Sequence, residues 1–340
     1  MFSARAGFFY VGGPAPAPDL MYAALPAQTV YPVSITGFGT KYAAPSSVPT
    51  GAGIGARFSS GLDYLTIGHN ATPFISTYPW SSSGWGSKYA NPGSLSPAGN
   101  NGVAFNPTTT TVFAAHTTNP NVAAWPWSSS GYGTKYSDPG TISGATGNEI
   151  DVSPDGAYIT LASTGSPYTN TYPWSDAGGF GTKVSNPATL PPGAGYGCGF
   201  SSTGDTIVVG HAGSPYISAY PFSSGSYGTK YAAPATAGDA TGQAAHMRPQ
   251  DDAVLLTQQA NPFVAAWAWS AGFGTRYSTP TMPVSSGGVG GGWSRGGGHA
   301  MGVPWTSPFI GIWPWSSGFG TKFANPGSAP VGTPWGGELV

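Results

Sequence analysis

Charge is what this 340-residue chain has least of: Asp, Glu, Lys and Arg make up 7% of it and the net charge is −1, against about a quarter charged in an ordinary soluble domain. So even a balance gives no overall attraction to nucleic acid or to an anionic membrane, and neither a nucleic-acid partner nor membrane insertion is expected. The single cysteine, Cys198, excludes an internal disulfide and has no metal-site spacing around it. It is expected to pack as a small apolar residue beside Phe200. No run approaches the roughly 18 apolar residues of a membrane-spanning helix, and the opening "MFSARAGFFYVGGPAPAPD" has no apolar stretch of signal-peptide length. Nor do apolar residues recur at i, i+3, i+4 and i+7 over ten or more positions anywhere, so essentially no helix is expected.

What the chain has instead is glycine (54) and proline (34), together more than a quarter of it. That composition alone would permit disorder. Disorder, however, usually goes with few aromatics and high net charge, whereas 14% of this chain is aromatic. The glycines and aromatics fall in a repeated phrase: "ITGFGTKYAAP", "SSGWGSKYANP", "SSGYGTKYSDP", "AGGFGTKVSNP", "SGSYGTKYAAP", "SAGFGTRYSTP" and "SSGFGTKFANP". The central aromatics are Phe38, Trp85, Tyr132, Phe180, Tyr227, Phe273 and Phe319, at steps of 47, 47, 48, 47, 46 and 46 residues.

One whole repeat, "NGVAFNPTTTTVFAAHTTNPNVAAWPWSSSGYGTKYSDPG", holds four strand-like pieces separated by Pro, Gly, Asn and Ser clusters. Four strands at a period of about 40 to 50 residues is the pattern of a β-propeller blade. The expected fold is all-β, a single seven-bladed β-propeller of four antiparallel strands per blade, with blades at about 7–47, 52–96, 101–143, 147–191, 196–238, 242–284 and 288–328 and a tail over 329–340. The first blade is degenerate, with "FFYVGG" as its innermost strand. No blade shared between the two chain ends is then expected, unless "TPWGGELV" crosses back onto blade one.

The fourth repeat reads "IDVSPDGAYITLAST", and its "VSPDG" between the first two strands resembles the WD-repeat propellers. Their Trp-Asp at the end of the third strand is missing; here stand Tyr78-Pro79, Trp125-Pro126, Tyr172-Pro173, Tyr220-Pro221, Trp267-Ala268 and Trp313-Pro314. In texture, the uniform, charge-poor repeats of the "YPWSSSGWGSKYANP" kind resemble those of virion or tail-associated structural proteins of tailed bacteriophages. That resemblance implies a non-enzymatic virion component without a cofactor, assembled in the bacterial cytoplasm, docking to other virion proteins or displayed for host-surface attachment, where a host glycan is a candidate partner. The alternatives are a carbohydrate-binding propeller lectin and an intracellular WD-repeat-like interaction adaptor.

Two sets of residues are candidates for interaction. Every lysine (Lys41, Lys88, Lys135, Lys183, Lys230 and Lys322) occupies one repeat position, with Arg276 at the seventh. Such a ring either keeps edge strands soluble or covers neighbouring aromatics, or else it docks an anionic partner. Trp80, Trp127, Trp174, Phe222, Trp269 and Trp315 end the third strands. They either pack between blades or stand as flat platforms for sugar rings. His69, His116 and His211 lie on different blades, too far apart for one metal, and no metal site is expected. Glu149 and Asp151, two apart on the innermost strand of blade four, are the one carboxylate pair facing the channel that could do two-acid chemistry. No catalytic residue is assigned. The run "SSGGVGGGWSRGGGH" lacks the Gly-Lys-Ser/Thr ending of a phosphate-binding loop.

Overall fold

The computed structural model describes residues 19–24, 28–140, 146–280, 287–307, 309–328, 330 and 336–339. Every regular element among them is a β-strand. Six antiparallel four-stranded sheets and one of three strands make the β-propeller. Blade 3 is representative, with Asn100–Phe105 innermost, then Thr111–His116, Val122–Ser128 and the two-residue Gly131–Tyr132. The innermost strands of blades 2, 4, 5 and 6 are Gly53–Phe58, Gly147–Val152, Gly195–Phe200 and Gly242–Met247. The three-stranded sheet begins with Gly288–Trp293 and continues through His299–Pro304 and Gly311–Pro314. In place of its expected fourth strand there is an isolated bridge between Trp315 and Phe319.

At the two chain ends the exception holds, and "TPWGGELV" crosses back onto blade 1. Gly336–Leu339 pairs antiparallel with Asp19–Ala24, placing Leu339 opposite Met21 and Glu338 opposite Tyr22. It is thus the innermost strand of blade 1, whose order is completed by Thr29–Ser34 and Gly37–Phe38. The C-terminus is therefore no free tail, and "FFYVGG" lies outside the described residues. The innermost strands lie side by side in a circle that closes where Gly336–Leu339 sits between Gly288–Trp293 and Gly53–Phe58. This circle is tight: a Cβ on Gly102 would lie 2.8 Å from the Glu149 Cα and 2.9 Å from the Asn148 carbonyl oxygen.

The repeated phrase serves this packing. Thr111–His116 is buried at every position, because blades cover it on both faces. Gly131, at φ 102°, turns the chain from third to fourth strand in a conformation that few residues with a side chain adopt. Tyr132 then stands edge-on to Trp127 of its own blade at 4.9 Å, and Tyr89, from the phrase of the preceding blade, meets the same indole at 4.9 Å. The pattern recurs as Tyr136–Trp174–Phe180, Tyr231–Trp269–Phe273 and Tyr277–Trp315–Phe319. In these repeats the phrase joins its blade to the next, by edge-to-face contacts that add to the burial of the rings themselves, while Val184 takes the aromatic's place against Phe222.

The third-strand aromatics are accordingly core and not platforms: Trp80, Trp127, Trp174, Phe222, Trp269 and Trp315 are all 3–8% exposed. Trp127→Ala is expected to destabilise the fold by about 3–5 kcal/mol, seen as a lower urea midpoint. An unchanged midpoint would mean that the indole is dispensable to the blade interface.

Candidate functional site

Along a strand, alternate side chains share a face, so each innermost strand points every second residue into the axial channel. Five strands or their following turns place a charged or ionisable group there: Arg57 from blade 2, Glu149 and Asp151 from blade 4, His246 from blade 6, Glu338 from the C-terminal strand of blade 1, and Arg295 just after Gly288–Trp293. Two chambers meet at Arg57 and Glu149. The one at the starts of the innermost strands has a volume of about 270 Å³, the one at their ends about 360 Å³.

Arg57 sits at the waist between two acids, 3.9 Å from Asp151 Oδ1 and 3.7 Å from Glu338 Oε1. Both separations exceed a hydrogen bond, and its buried Nε has no partner among the described residues. Arg295 differs, since its guanidinium donates to the carbonyls of Ser59 and Ser60 across the seam. Each acid accepts a backbone N–H from the next blade: Cys198 N–H to Glu149 Oε2 at 3.0 Å, Phe200 N–H to Asp151 Oδ2 at 2.8 Å, and Phe58 N–H to Glu338 Oε2 at 2.6 Å. The other oxygen of Glu149 faces His246 Nε2 at 3.5 Å.

Removal from bulk water dominates the ionisation of these groups. Burial pushes the Glu149 carboxyl up to about 8 and the Glu338 carboxyl up to about 7, with Arg57 pulling each back. Asp151 is also raised by burial, against Arg57. His246 is pushed down to about 3 by burial and then by the Arg57 charge, so the imidazole is neutral at neutral pH. Burial opposes the charge of Arg57, but Glu338, Asp151 and Glu149 together outweigh it and hold the guanidinium ionised. Carboxyls poised near neutral pH beside a fixed cation are the arrangement that proton-transfer chemistry needs.

Of the sequence candidates, Glu149 and Asp151 do face the channel, whereas the cation ring does not converge on it. The lysines and Arg276 lie on or just beyond the fourth strands, at the outer edge, and most bond within their own turn. Lys88 donates to Asn91 at 2.6 Å and Lys322 to Asn325 at 2.7 Å, while Lys135 pairs with Asp138 and Lys183 with Asn186. Arg276 pairs with Asp239 and lies 5.6 Å from the Trp267 ring centroid. Lys41 is exposed, and Lys41 and Lys230 have Ala44 and Ala233 where the others have Asn or Asp. His69 and His211 are buried against Ser76 and Ser218, and no metal-holding group of His, Cys, Asp or Glu occurs among the described residues. Cys198 is buried, as expected.

Arg57, His246, Arg295 and Glu338 are not among the sequence candidates. Their signal is departure from the repeat: these cations stand outside the lysine position, and His246 stands outside the position shared by His69, His116 and His211.

The sequence matches no described protein family and no curated protein. The structure is similar to several solved propellers. One is a Bacteroides uniformis protein provisionally assigned as a 6-phosphogluconolactonase (TM-score 0.71, 16% identity, covering 95% of this chain and 100% of that one). Another is the periplasmic gluconolactonase of Pseudomonas aeruginosa (TM-score 0.66, 16% identity, 95% and 99%). A third is a Lactobacillus plantarum protein (TM-score 0.73, 14% identity, 95% and 99%). At such identities the likeness is one of fold. It nevertheless overturns the expectation of a non-enzymatic virion component: where these propellers carry a named activity it is that of a lactonase, and nothing in them points to a phage tail or a WD-repeat protein.

The shifted groups make stability depend on pH. An acid with a raised native pKa keeps its proton longer in the folded state, so stability falls as pH rises from about 4.5 to 8 for Glu149 and from about 4.5 to 7 for Glu338. The depressed histidines act oppositely. His246, at about 3, and His69, His116 and His211, at about 4, contribute stability that is complete above about 6.5 and lost as pH falls. A maximum near pH 6.5 with a fall towards pH 8 is expected, and Glu149→Gln combined with Glu338→Gln should flatten the alkaline limb. Urea midpoints across pH test this; an alkaline limb that survives the double substitution would contradict it.

Proposed function

We propose that the chain is a hydrolase of a small ester or lactone, acting in the axial channel. The observation that carries this reading is Arg57, a half-buried, permanently charged guanidinium at the waist of the channel whose Nε has no partner among the described residues, next to a carboxyl whose proton affinity lies near neutrality. A substrate carbonyl directed at Arg57 would have its developing oxyanion stabilised by a fixed cation in surroundings of low dielectric. Glu149, once ionised, takes a proton from water as the water oxygen bonds to the carbonyl carbon. Collapse of the tetrahedral intermediate breaks the acyl C–O bond, and the proton on Glu149 passes, directly or through neutral His246, to the departing alkoxide. The net change is lactone plus water to hydroxy acid, whose own proton is lost to solvent. Asp151 and Glu338 hold Arg57 charged and centred. The lactonases that share the fold support this choice of reaction.

We also propose that the three-stranded sheet counts as the seventh blade of the ring. Its innermost strand occupies the position between blades 6 and 1, and it supplies Arg295 to the channel.

The assay is hydrolysis of aldonolactones by the full chain, corrected for spontaneous opening. Glu149→Gln is expected to lower kcat by about 10²- to 10⁴-fold and Arg57→Met by about 10²- to 10³-fold, both with the fold intact. In the parent protein kcat should rise with pH with a midpoint near the value of about 8 for Glu149. Turnover insensitive to both substitutions would remove the channel as the reactive site.

A further inference from the structure

The chamber at the starts of the innermost strands differs in chemistry from the waist. Its walls carry two asparagines, a glutamine, a phenol and an indole: Asn101, Asn148, Gln243, Tyr196 and Trp305. Arg57 and Glu149, at its floor, are the only ionisable groups among its lining residues apart from the Tyr196 phenol. The two asparagines also fix the wall, since Asn101 Nδ2 donates to the Gly147 carbonyl at 3.0 Å and Asn148 Nδ2 to that of Gly195 at 2.7 Å. Their amide planes are thereby held. Gln243 Nε2 and Trp305 Nε1, in contrast, are buried donors with no partner among the described residues. Donors left without acceptors in a folded protein call for an explanation, and both residues line the chamber.

We propose that this chamber binds the unphosphorylated, polyhydroxylated body of a sugar-derived ligand whose acyl end reaches Arg57. This deepens the hydrolase reading and rests on the channel being the site. Neutral amide and phenol groups match hydroxyls, being able to donate and accept without net charge, and the indole adds a donor. A phosphate would call for uncommitted cations, and bidentate arginine above all. None among the described residues lining the chamber is available for it. Arg57 is flanked by Asp151 and Glu338 and is taken by the acyl end, Arg295 is occupied by the Ser59 and Ser60 carbonyls, and the rim lysines are remote on the outer strands.

The test is calorimetric titration of the full chain at pH 7 with gluconate and, separately, with 6-phosphogluconate, which requires no turnover. Gluconate is expected to bind, with 6-phosphogluconate at least tenfold weaker. Gln243→Leu, and independently Tyr196→Phe, should each raise the Kd for gluconate by about threefold to tenfold, the range of one hydrogen bond; thermal melts confirm that each variant is folded. The proposal is overturned if gluconate does not bind, if the phosphorylated acid binds as tightly or more tightly, or if folded variants of both kinds leave the Kd unmoved. Binding of gluconate without lactone turnover supports the chamber and removes the hydrolase reading. Turnover that prefers the phosphorylated lactone leaves the hydrolase reading and overturns the chamber.

Discussion

The approach of the innermost strands to one another is the constraint on which the rest depends. Around Gly102 they pack so closely that one added methyl group would overlap a neighbouring backbone, and the circle they form closes with a strand from the far end of the chain. A channel of fixed width results, its walls made by consecutive blades. Groups from residues as far apart in sequence as Arg57 and Glu338 are held within 4 Å because the circle closes there. Outside the circle, the aromatic relay of Trp127 with Tyr89 and Tyr132, repeated from blade to blade, keeps the innermost strands in place.

A tight, half-dry channel explains why its charges are perturbed and why they are tolerated. Burying an ionised carboxylate is unfavourable unless it is paired and hydrogen-bonded. Here each acid accepts one backbone N–H from the next blade and shares the guanidinium of Arg57. The compensation is incomplete, which leaves Glu149 and Glu338 holding protons near neutral pH. These bonds also tie consecutive innermost strands together, so the same residues connect the ring and carry the proposed chemistry. That dual role couples pH, stability and reactivity in one place.

Most of the architecture was legible because the fold repeats. The spacing of Phe38 to Phe319 gave the period, the strand-like pieces gave four strands to a blade, and the "GTKY" phrase gave the outer edge. Chain closure was not legible from the repeat, because Gly336–Leu339 is an innermost strand detached in sequence from the blade it completes. The candidate site was half legible: Glu149 and Asp151 could be placed on the channel wall by counting strands, but their partner Arg57 comes from two blades away and Glu338 from the closing strand. Repetition points away from the axis: the third-strand aromatics lie in blade interfaces, and Lys88, Lys135, Lys183 and Lys322 bond within their own turns. The residues that depart from the repeat are those that gather on the axis.

The most direct test of the channel as the site is a crystal structure of the full chain with gluconate bound. The ligand is expected on the propeller axis, its carboxylate against the Arg57 guanidinium. A ligand seated at the outer rim beside the lysines, with the axial chambers unchanged, would contradict it.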